Sequence, residues 1–293
     1  MTDDKAWQYT VRTCDLHLHT IVSDGEITPG EILSCAKEFH LEKISITDHD
    51  AVGAYIHFET DLFEKAKEMG IEIIPGIELD STFSEIEVHV LGYGINIENK
   101  ELKNYLSKIH TLRRQRIEEQ MEKINRFYKK EIIKRDEIII PYRDTLMKPH
   151  LVHELLKKGL FSEYREAARW VSDHARSSVS ISKFHTGEMI ELIKRCGGQA
   201  FLAHPGYYML EGGLDIDKMV NELLPAGLAG LEVEYPYLGT GPKFQTPASE
   251  REIIETLYHT ARKYGLNISG GSDAHTLEQM KAFSRRVNTR KSK

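Results

Sequence analysis

The stretch Asp15-Leu16-His17-Leu18-His19-Thr20-Ile21-Val22-Ser23-Asp24-Gly25 passes from a hydrophobic alternation straight into a polar turn. Taken with the residues before it, Val11–His17 reads as a buried β-strand. Successive strand side chains point to opposite faces, so His17 and His19 face the same way and can grip one metal ion. The decisive question is whether other strands of the chain end in the same kind of residue.

Working outward, Thr28-Pro29-Gly30-Glu31 is a capping box with proline at the first helical position, opening a helix to about Phe39. Lys43–Thr47 is a β-branched strand, Val52–Met69 a helix ended by Gly70, and Ile71–Pro75 and Ile86–Tyr93 further strands. This alternation predicts a largely parallel sheet or barrel with helices outside. From Asn99 the pattern changes: Leu102, Leu106, Ile109, Ile117, Met121, Ile124 and Tyr128 fall at helical spacing, with a heavily charged opposite face. Helical pieces follow at Leu151–Lys158 and Glu163–His174. Alternation then resumes with a helix over Glu188–Cys196, strands at Gln199–Ala203 and Leu228–Glu234, a second capping box at Ser249-Glu250-Arg251-Glu252, and a strand at Leu266–Ser269. The expected α/β architecture is one barrel, residues 10–98 and 184–280, interrupted by a helical insertion over 99–183. The basic end, Arg285–Lys293, is expected to fray.

The carboxyl ends of these strands hold the chemistry. They carry His17 and His19, then Thr47-Asp48-His49-Asp50, Pro75-Gly76-Ile77-Glu78, His89, Ala203-His204-Pro205-Gly206, and Gly271-Ser272-Asp273-Ala274-His275. That rim is where barrel enzymes assemble active sites. A single strand histidine is more often a packed core residue, and an HxH pair alone is a weak signal. The joint placement of His17, His19, His49, Glu78, His204, Asp273 and His275 is a strong one. Imidazole with carboxylate and no thiolate suits Zn²⁺, Mn²⁺ or Fe²⁺. His40, His57, His110, His153, His174 and His259 lie in or beside helices and read as solvated or packing residues, while His150 and His185 flank the insertion.

Composition narrows the class. The chain has 293 residues, 40% hydrophobic and 29% charged, which excludes disordered and collagen-like structure. A net charge of −6 gives no basic surplus for long nucleic acid. Cys14, Cys35 and Cys196 are widely separated, so neither a disulfide framework nor a thiolate site is indicated. With no signal-peptide pattern and no run near the ~18 apolar residues of a membrane span, the expectation is a cytoplasmic protein without a membrane partner.

At DLHLHTIVSDG (Asp15–Gly25), ITDHD (Ile46–Asp50), PGIEL (Pro75–Leu79), the His89 strand, LAHPG (Leu202–Gly206) and GGSDAH (Gly270–His275), the sequence resembles the polymerase-and-histidinol-phosphatase (PHP) superfamily of metal-dependent phosphoesterases. The insertion, with KPHLVHELLKKG (Lys148–Gly159), is similar to the subgroup that dephosphorylates nucleotides and nucleoside 3′,5′-bisphosphates, some members being 5′-to-3′ exonucleases on short RNA. The resemblance implies a distorted seven-stranded (β/α) barrel of the TIM type holding two or three divalent ions, Mn, Fe or Zn. By motif position, the first ion takes His17, His19, Glu78 and Asp273; Glu78 bridges to a second with His89 and His204; a third takes Asp24, His49 and His275. Glu78, Asp273 and His204 are the implied catalytic residues, acting through a metal-activated hydroxide. Lys148 and His150, from a motif that reads RPH in the family, are the implied substrate contacts within a capping insertion.

The expected reaction is hydrolysis of a phosphomonoester, on a nucleotide or similar small phosphorylated metabolite, with inorganic phosphate as product. A 5′-to-3′ exonuclease on short oligonucleotides, a histidinol-phosphate phosphatase, and a metal- or nucleotide-binding module without turnover are the alternatives. Of the insertion's basic residues, Arg113, Arg114, Arg116 and Arg143 read mostly as solvated helix surface.

Overall fold

In a computed structural model, the structure describes residues 13–58, 61–179, 181 and 184–290, with side chains to 286. The expected strand residues Val11 and Arg12, Lys183 at the end of the insertion, and the last three residues lie outside the described residues.

Among the described residues, eight strands form two sheets. The first is parallel: β1 (Cys14–Leu18), β2 (Lys43–Ile46) and β3 (Glu72–Ile73), linked by helices α1 (Pro29–Glu38) and α2 (Leu62–Glu68). The second begins with an antiparallel hairpin, β4 (Gly76–Phe83) and β5 (Ile86–Tyr93). The excursion α3 (Lys100–Tyr128), α4 (Arg135–Ile138), α5 (Lys148–Lys157) and α6 (Tyr164–His174) follows. The chain returns through α7 (Thr186–Arg195) to β6 (Gln199–Leu202), antiparallel to β5. After α8 (Gly206–Leu210) and α9 (Ile216–Leu223) come β7 (Leu228–Glu234), α10 (Pro247–Tyr264), β8 (Asn267–Gly270) and α11 (Leu277–Arg290), with β6, β7 and β8 parallel.

The sheet is therefore less parallel than the alternation implied. Phe83 pairs with Ile86 across a two-residue turn whose Ser84 and Glu85 both have positive φ, 48° and 65°. Such turns are normally announced by Asn-Gly or Asp-Gly, and Ser-Glu gave no such signal. Two helix boundaries also differ. The segment expected as one helix over Val52–Met69 is a 3₁₀ turn at Gly53–Tyr55 and then α2, whose N-cap Asp61 accepts from Phe63 N and Glu64 N. The second capping box sits three residues earlier than expected: Thr246 caps α10 and accepts from Ser249 N, ahead of Pro247 at the first turn.

Packing divides accordingly. Leu79, Val90, Leu202, Leu231 and the inner faces of α7, α9 and α10 share one core; β1, β2, α1, α2 and α11 share another. Ile117, Met121 and Ile124 of α3 build a separate core with Leu151, Leu155, Ala167 and Val171. Helix α3, 29 residues and so about 43 Å long, belongs to both regions, because Leu102 and Leu106 pack against the sheet.

The sheets meet at two seams, each made by a few bonds and not by a continuing ladder. At one, Asp50 N donates to Glu78 O and Glu78 N to Asp48 O. At the other, His19 N donates to Ala274 O and Asp273 N to His17 O. The approach there is close: a Cβ on Gly271 would lie 2.4 Å from His17 N, a collision only glycine avoids. Both seams are made by the residues singled out above.

Candidate metal centre

Each seam delivers donors to one point. His17 on β1 and His19 just beyond it place their Nε2 atoms 3.1 Å apart. Glu78 Oε2, on β4, is 3.3 Å from both. Asp273 Oδ1, after β8, is 3.3 Å from His17 Nε2 and 3.0 Å from His19 Nε2. The other Glu78 oxygen, Oε1, lies 3.1 Å from His89 Nδ1 on β5 and 3.4 Å from His204 Nε2 after β6. A third group joins Asp24, His49 and His275 with His19, whose ring stacks on both histidines at 4.7 and 4.3 Å. His275 Nε2 is 3.3 Å from Asp24 Oδ1.

These donor sets fit divalent ions. Bonds of about 2.0–2.1 Å in a tetrahedron put neighbouring ligand atoms about 3.3 Å apart, close to the separations found. Buried His19 Nδ1 and Asp24 Oδ1 make no hydrogen bond to any described residue, although buried polar atoms are nearly always satisfied. Two imidazole nitrogens and two carboxylate oxygens converging on one point have only protons to share, unless a cation lies between them.

The electrostatics agree. Burial alone lowers the His17 pKa, but the Glu232, Asp273 and Glu78 carboxylates outweigh it and hold it well above the usual range. Burial pushes Glu78 up, while His49, His17 and His89 carry it well below the ordinary carboxylate range. A metal ion would take the place of those imidazole protons.

A supporting layer surrounds these groups, and most of it was not legible in the sequence. Glu232, fully buried on β7, accepts from His17 Nδ1 at 3.0 Å and from His204 N at 2.7 Å. Asp80 on β4 accepts from His49 Nδ1 at 2.9 Å. These are the carboxylate–histidine pairs that fix ring orientation at metal sites. Asp48 accepts from Thr20 N, Thr20 Oγ1 and Ser23 Oγ, holding the loop that carries Asp24. Tyr235 Oη donates to Asp273 Oδ2 at 2.8 Å. The only forewarning of Glu232 was a carboxylate inside an apolar strand. Backbone strain gathers here too: Asp50, His204 and Asp273 have φ of 44°, 30° and 52°, conformations that persist where surrounding bonds hold them.

The insertion reaches this layer through Arg113. Its Nη2 donates to Asp50 Oδ2 and, at 2.7 Å, to Asp80 Oδ2. It is 7% exposed, so the reading of solvated helix surface is corrected: helical spacing cannot reveal that two distant carboxylates wait beneath the helix. Tyr105 Oη and His110 Nε2 also bond Asp50, through its side chain and its carbonyl.

The two expected substrate contacts separate. Lys148 is exposed, and its Nζ donates to Ser172 Oγ at 3.4 Å. His150 is buried and uses both ring nitrogens: Nε2 donates to Ser23 O and Nδ1 accepts from Met147 N. That ties the start of α5 to the Asp24 loop and leaves no ring nitrogen for a substrate. His185 caps α7, accepting from Gly187 N.

The PHP domain family profile matches residues 15–182. The chain is 26% identical over 265 residues to the 5′-3′ exoribonuclease Rnm of Escherichia coli, covering 89% of this chain and 84% of that one. It is 24% identical over 265 residues to the 3′,5′-nucleoside bisphosphate phosphatase of Chromobacterium violaceum, covering 89% and 86%. To the phosphoribosyl 1,2-cyclic phosphate 1,2-diphosphodiesterase of Eggerthella lenta it is 25% identical over 265 residues, covering 89% and 93%. A metal-dependent phosphoesterase structure from Bifidobacterium adolescentis shares the fold, with a TM-score of 0.73 at 24% identity, covering 89% of this chain and 87% of that one. With the profile spanning more than half its length, the chain belongs to the PHP domain family and is a metal-dependent phosphoesterase.

Proposed function

We propose that this phosphoesterase removes phosphate from a nucleotide or a similar small phosphorylated metabolite. The observation that carries the reading is the division of Glu78, whose two oxygens face different histidine groups. A carboxylate so placed is suited to hold two cations side by side. His17, His19, Glu78 and Asp273 would hold the first, Glu78, His89 and His204 the second, and Asp24, His49 and His275 a third, the ions being Mn, Fe or Zn. When bound, such ions lower the pKa of a coordinated water and neutralise the phosphate oxygens.

The chain's own residues supply the rest. Glu232 and Asp80 hold the His17 and His49 rings with their remaining nitrogens aimed at the centre. Tyr235, whose pKa burial and the Asp273 carboxylate raise well above the usual range, keeps its proton and steadies Asp273 Oδ2. The two sheets are read as one distorted barrel, with residues 99–183 as a cap beside its carboxyl-terminal rim. Glu78, Asp273 and His204 are the residues assigned to catalysis.

Phosphate release from nucleotides and sugar phosphates, with added Mn²⁺ and parallel elemental analysis, tests the reading. Stoichiometric metal with turnover of a nucleotide monoester supports it; folded protein with no bound metal and no turnover would sink it. The second reading, 5′-to-3′ cleavage of short RNA, draws support from the relatives named as exoribonucleases. Faster turnover of a 5′-phosphorylated dinucleotide than of a nucleoside bisphosphate would favour it.

A further inference from the structure

Asp24 is held differently from the other candidate metal ligands. His17 leans on Glu232, His49 on Asp80 and Asp273 on Tyr235, side chains that stand on or just after the strands. Asp24 stands in the loop after β1, 8% exposed, and its Oδ1 makes no hydrogen bond to a described residue while lying 3.3 Å from His275 Nε2. Its place is therefore set by the backbone of the loop.

That backbone is held from two sides. On the side of the sheets, Asp48 accepts from Thr20 and Ser23, and Glu26 N donates to His275 O at 2.7 Å. On the side of the insertion, Asp144 N and Thr145 N both donate to Val22 O, at 2.9 and 3.1 Å. His150 Nε2 donates to the next carbonyl, Ser23 O, at 2.9 Å. The two carbonyls just before Asp24 are thus both bonded by the insertion. The donors are themselves fixed. His150 is 6% exposed and its Nδ1 accepts from Met147 N at 3.0 Å, so the ring cannot turn without breaking two bonds. Thr145 Oγ1 donates to Asp50 O at 3.3 Å, and His57 Nε2 pairs with Asp144 Oδ1 at 2.8 Å.

We infer that the insertion completes the third cation site: His150, through Ser23 O, is a positioning residue for Asp24, and the group of Asp24, His49 and His275 binds its divalent ion tightly only while residues 144–150 are seated on the loop. The inference rests on the three-site reading proposed above. Metal–ligand distances tolerate only about 0.2 Å, so a small relaxation of the loop is enough to take Asp24 out of range. The first two groups draw on ligands carried by the strands or just beyond them, and their ions do not depend on this contact. Binding linkage is reciprocal, so an ion in the third site in turn fastens the insertion to the loop.

The test dialyses full-length, Mn²⁺-loaded protein against falling free Mn²⁺ and counts bound metal by elemental analysis. Asp24→Asn identifies the third ion and should bind one ion fewer than wild type. His150→Asn keeps an oxygen that can accept from Met147 N but is too short to reach Ser23 O, whereas His150→Gln can extend an amide N–H to it. In His150→Asn the Kd of the third ion should rise about ten-fold or more, with the others unchanged. His150→Gln should recover most of that loss, a rescue that a purely space-filling role would not give. The ions retained in the same sample report a folded centre. A second readout needs no substitution at His150: amide hydrogen exchange at Asp144 and Thr145 should slow as the third ion fills in wild type, and not in Asp24→Asn. Normal binding of the third ion in His150→Asn, or exchange at Asp144 and Thr145 indifferent to its filling, overturns the inference and leaves the three-site reading standing. Equal weakening of every ion in His150→Asn overturns it too. Equal metal content in wild type and Asp24→Asn defeats the three-site reading, and the inference with it.

Discussion

Replacing Arg113 by Met keeps most of the apolar stem and removes the guanidinium. Asp50, 1% exposed, and Asp80, 9% exposed, would then face each other with no cation between them. Removing one partner of a buried ion pair typically costs about 3–5 kcal/mol, because the charge left behind is uncompensated. Against a total stability of about 5–15 kcal/mol that is a large fraction. At roughly 2.1 cal/mol/K per residue, 293 residues unfold with an entropy of about 0.6 kcal/mol/K, so Tm should fall about 5–8 °C. The measurement is calorimetry in chelator, so that metal binding does not mask the loss. Asp50→Asn in the Arg113→Met background should recover part of it, about 1–2 kcal/mol, since it removes one of the stranded charges. In Mn²⁺ the variant should also retain metal less well, because Asp80 would no longer be held against His49. A variant that melts within a degree of wild type in chelator, with Asp50→Asn making no further difference, would show that the Asp50–Arg113–Asp80 contact adds no net stability.

Other expectations follow from single contacts. Glu78→Ala should remove more metal than His89→Ala and abolish turnover rather than raise KM, because two donor groups share that carboxylate; near-normal kcat would refute the bridging assignment. Lys148→Ala should raise KM more for a bisphosphorylated nucleotide than for an aryl phosphate, with metal content unchanged, and equal effects would place recognition elsewhere. Burial, with Arg143 adding to it, lowers the His150 pKa to about 4. Between that value and the unfolded pKa the unfolded chain binds the extra proton, so His150 costs about 1.4 kcal/mol per pH unit as pH falls through this window. His150→Gln should flatten the stability profile below neutral pH, and an unchanged slope in denaturant melts would refute the assignment.

What could be read from the sequence was governed by locality. Strand ends rich in histidine were visible because an alternating run stopping at His17–His19 or at His204 is written in consecutive residues. Their convergence was legible only as a joint pattern, and the structure brings them together at the two seams. The Ser84–Glu85 turn was not legible, since its positive φ values are imposed by the pairing of β4 with β5 and not by residues that favour them. Ser249-Glu250-Arg251-Glu252 matches a capping box, yet Pro247 fixes the first turn and makes Thr246 the cap. Arg113 and Asp80 have no local signature, and Glu232 only that of a carboxylate inside an apolar strand. Each is defined by a partner tens or hundreds of positions away.

That last group changes how the insertion is understood. An insertion joined to the rest of the chain only by its ends could be exchanged or lost without disturbing the centre. Here α3 packs Leu102 and Leu106 into the sheet core, carries Arg113 into the layer behind His49, and continues into the core of the insertion through Ile117 and Met121. One helix thus links the core of the insertion to the carboxylate that bonds a candidate metal ligand. Displacing that helix to admit a larger substrate would break the Arg113 contacts and loosen His49, at the cost reckoned for Arg113→Met. On the proposed reading, substrate size and metal retention meet at Arg113, so Arg113→Met should weaken size discrimination and metal retention together. Metal titration and the ratio of dinucleotide to mononucleotide turnover, measured on the same preparation, would expose that coupling. A variant that lost metal but kept its size preference would separate the two roles and leave α3 as a structural strut alone.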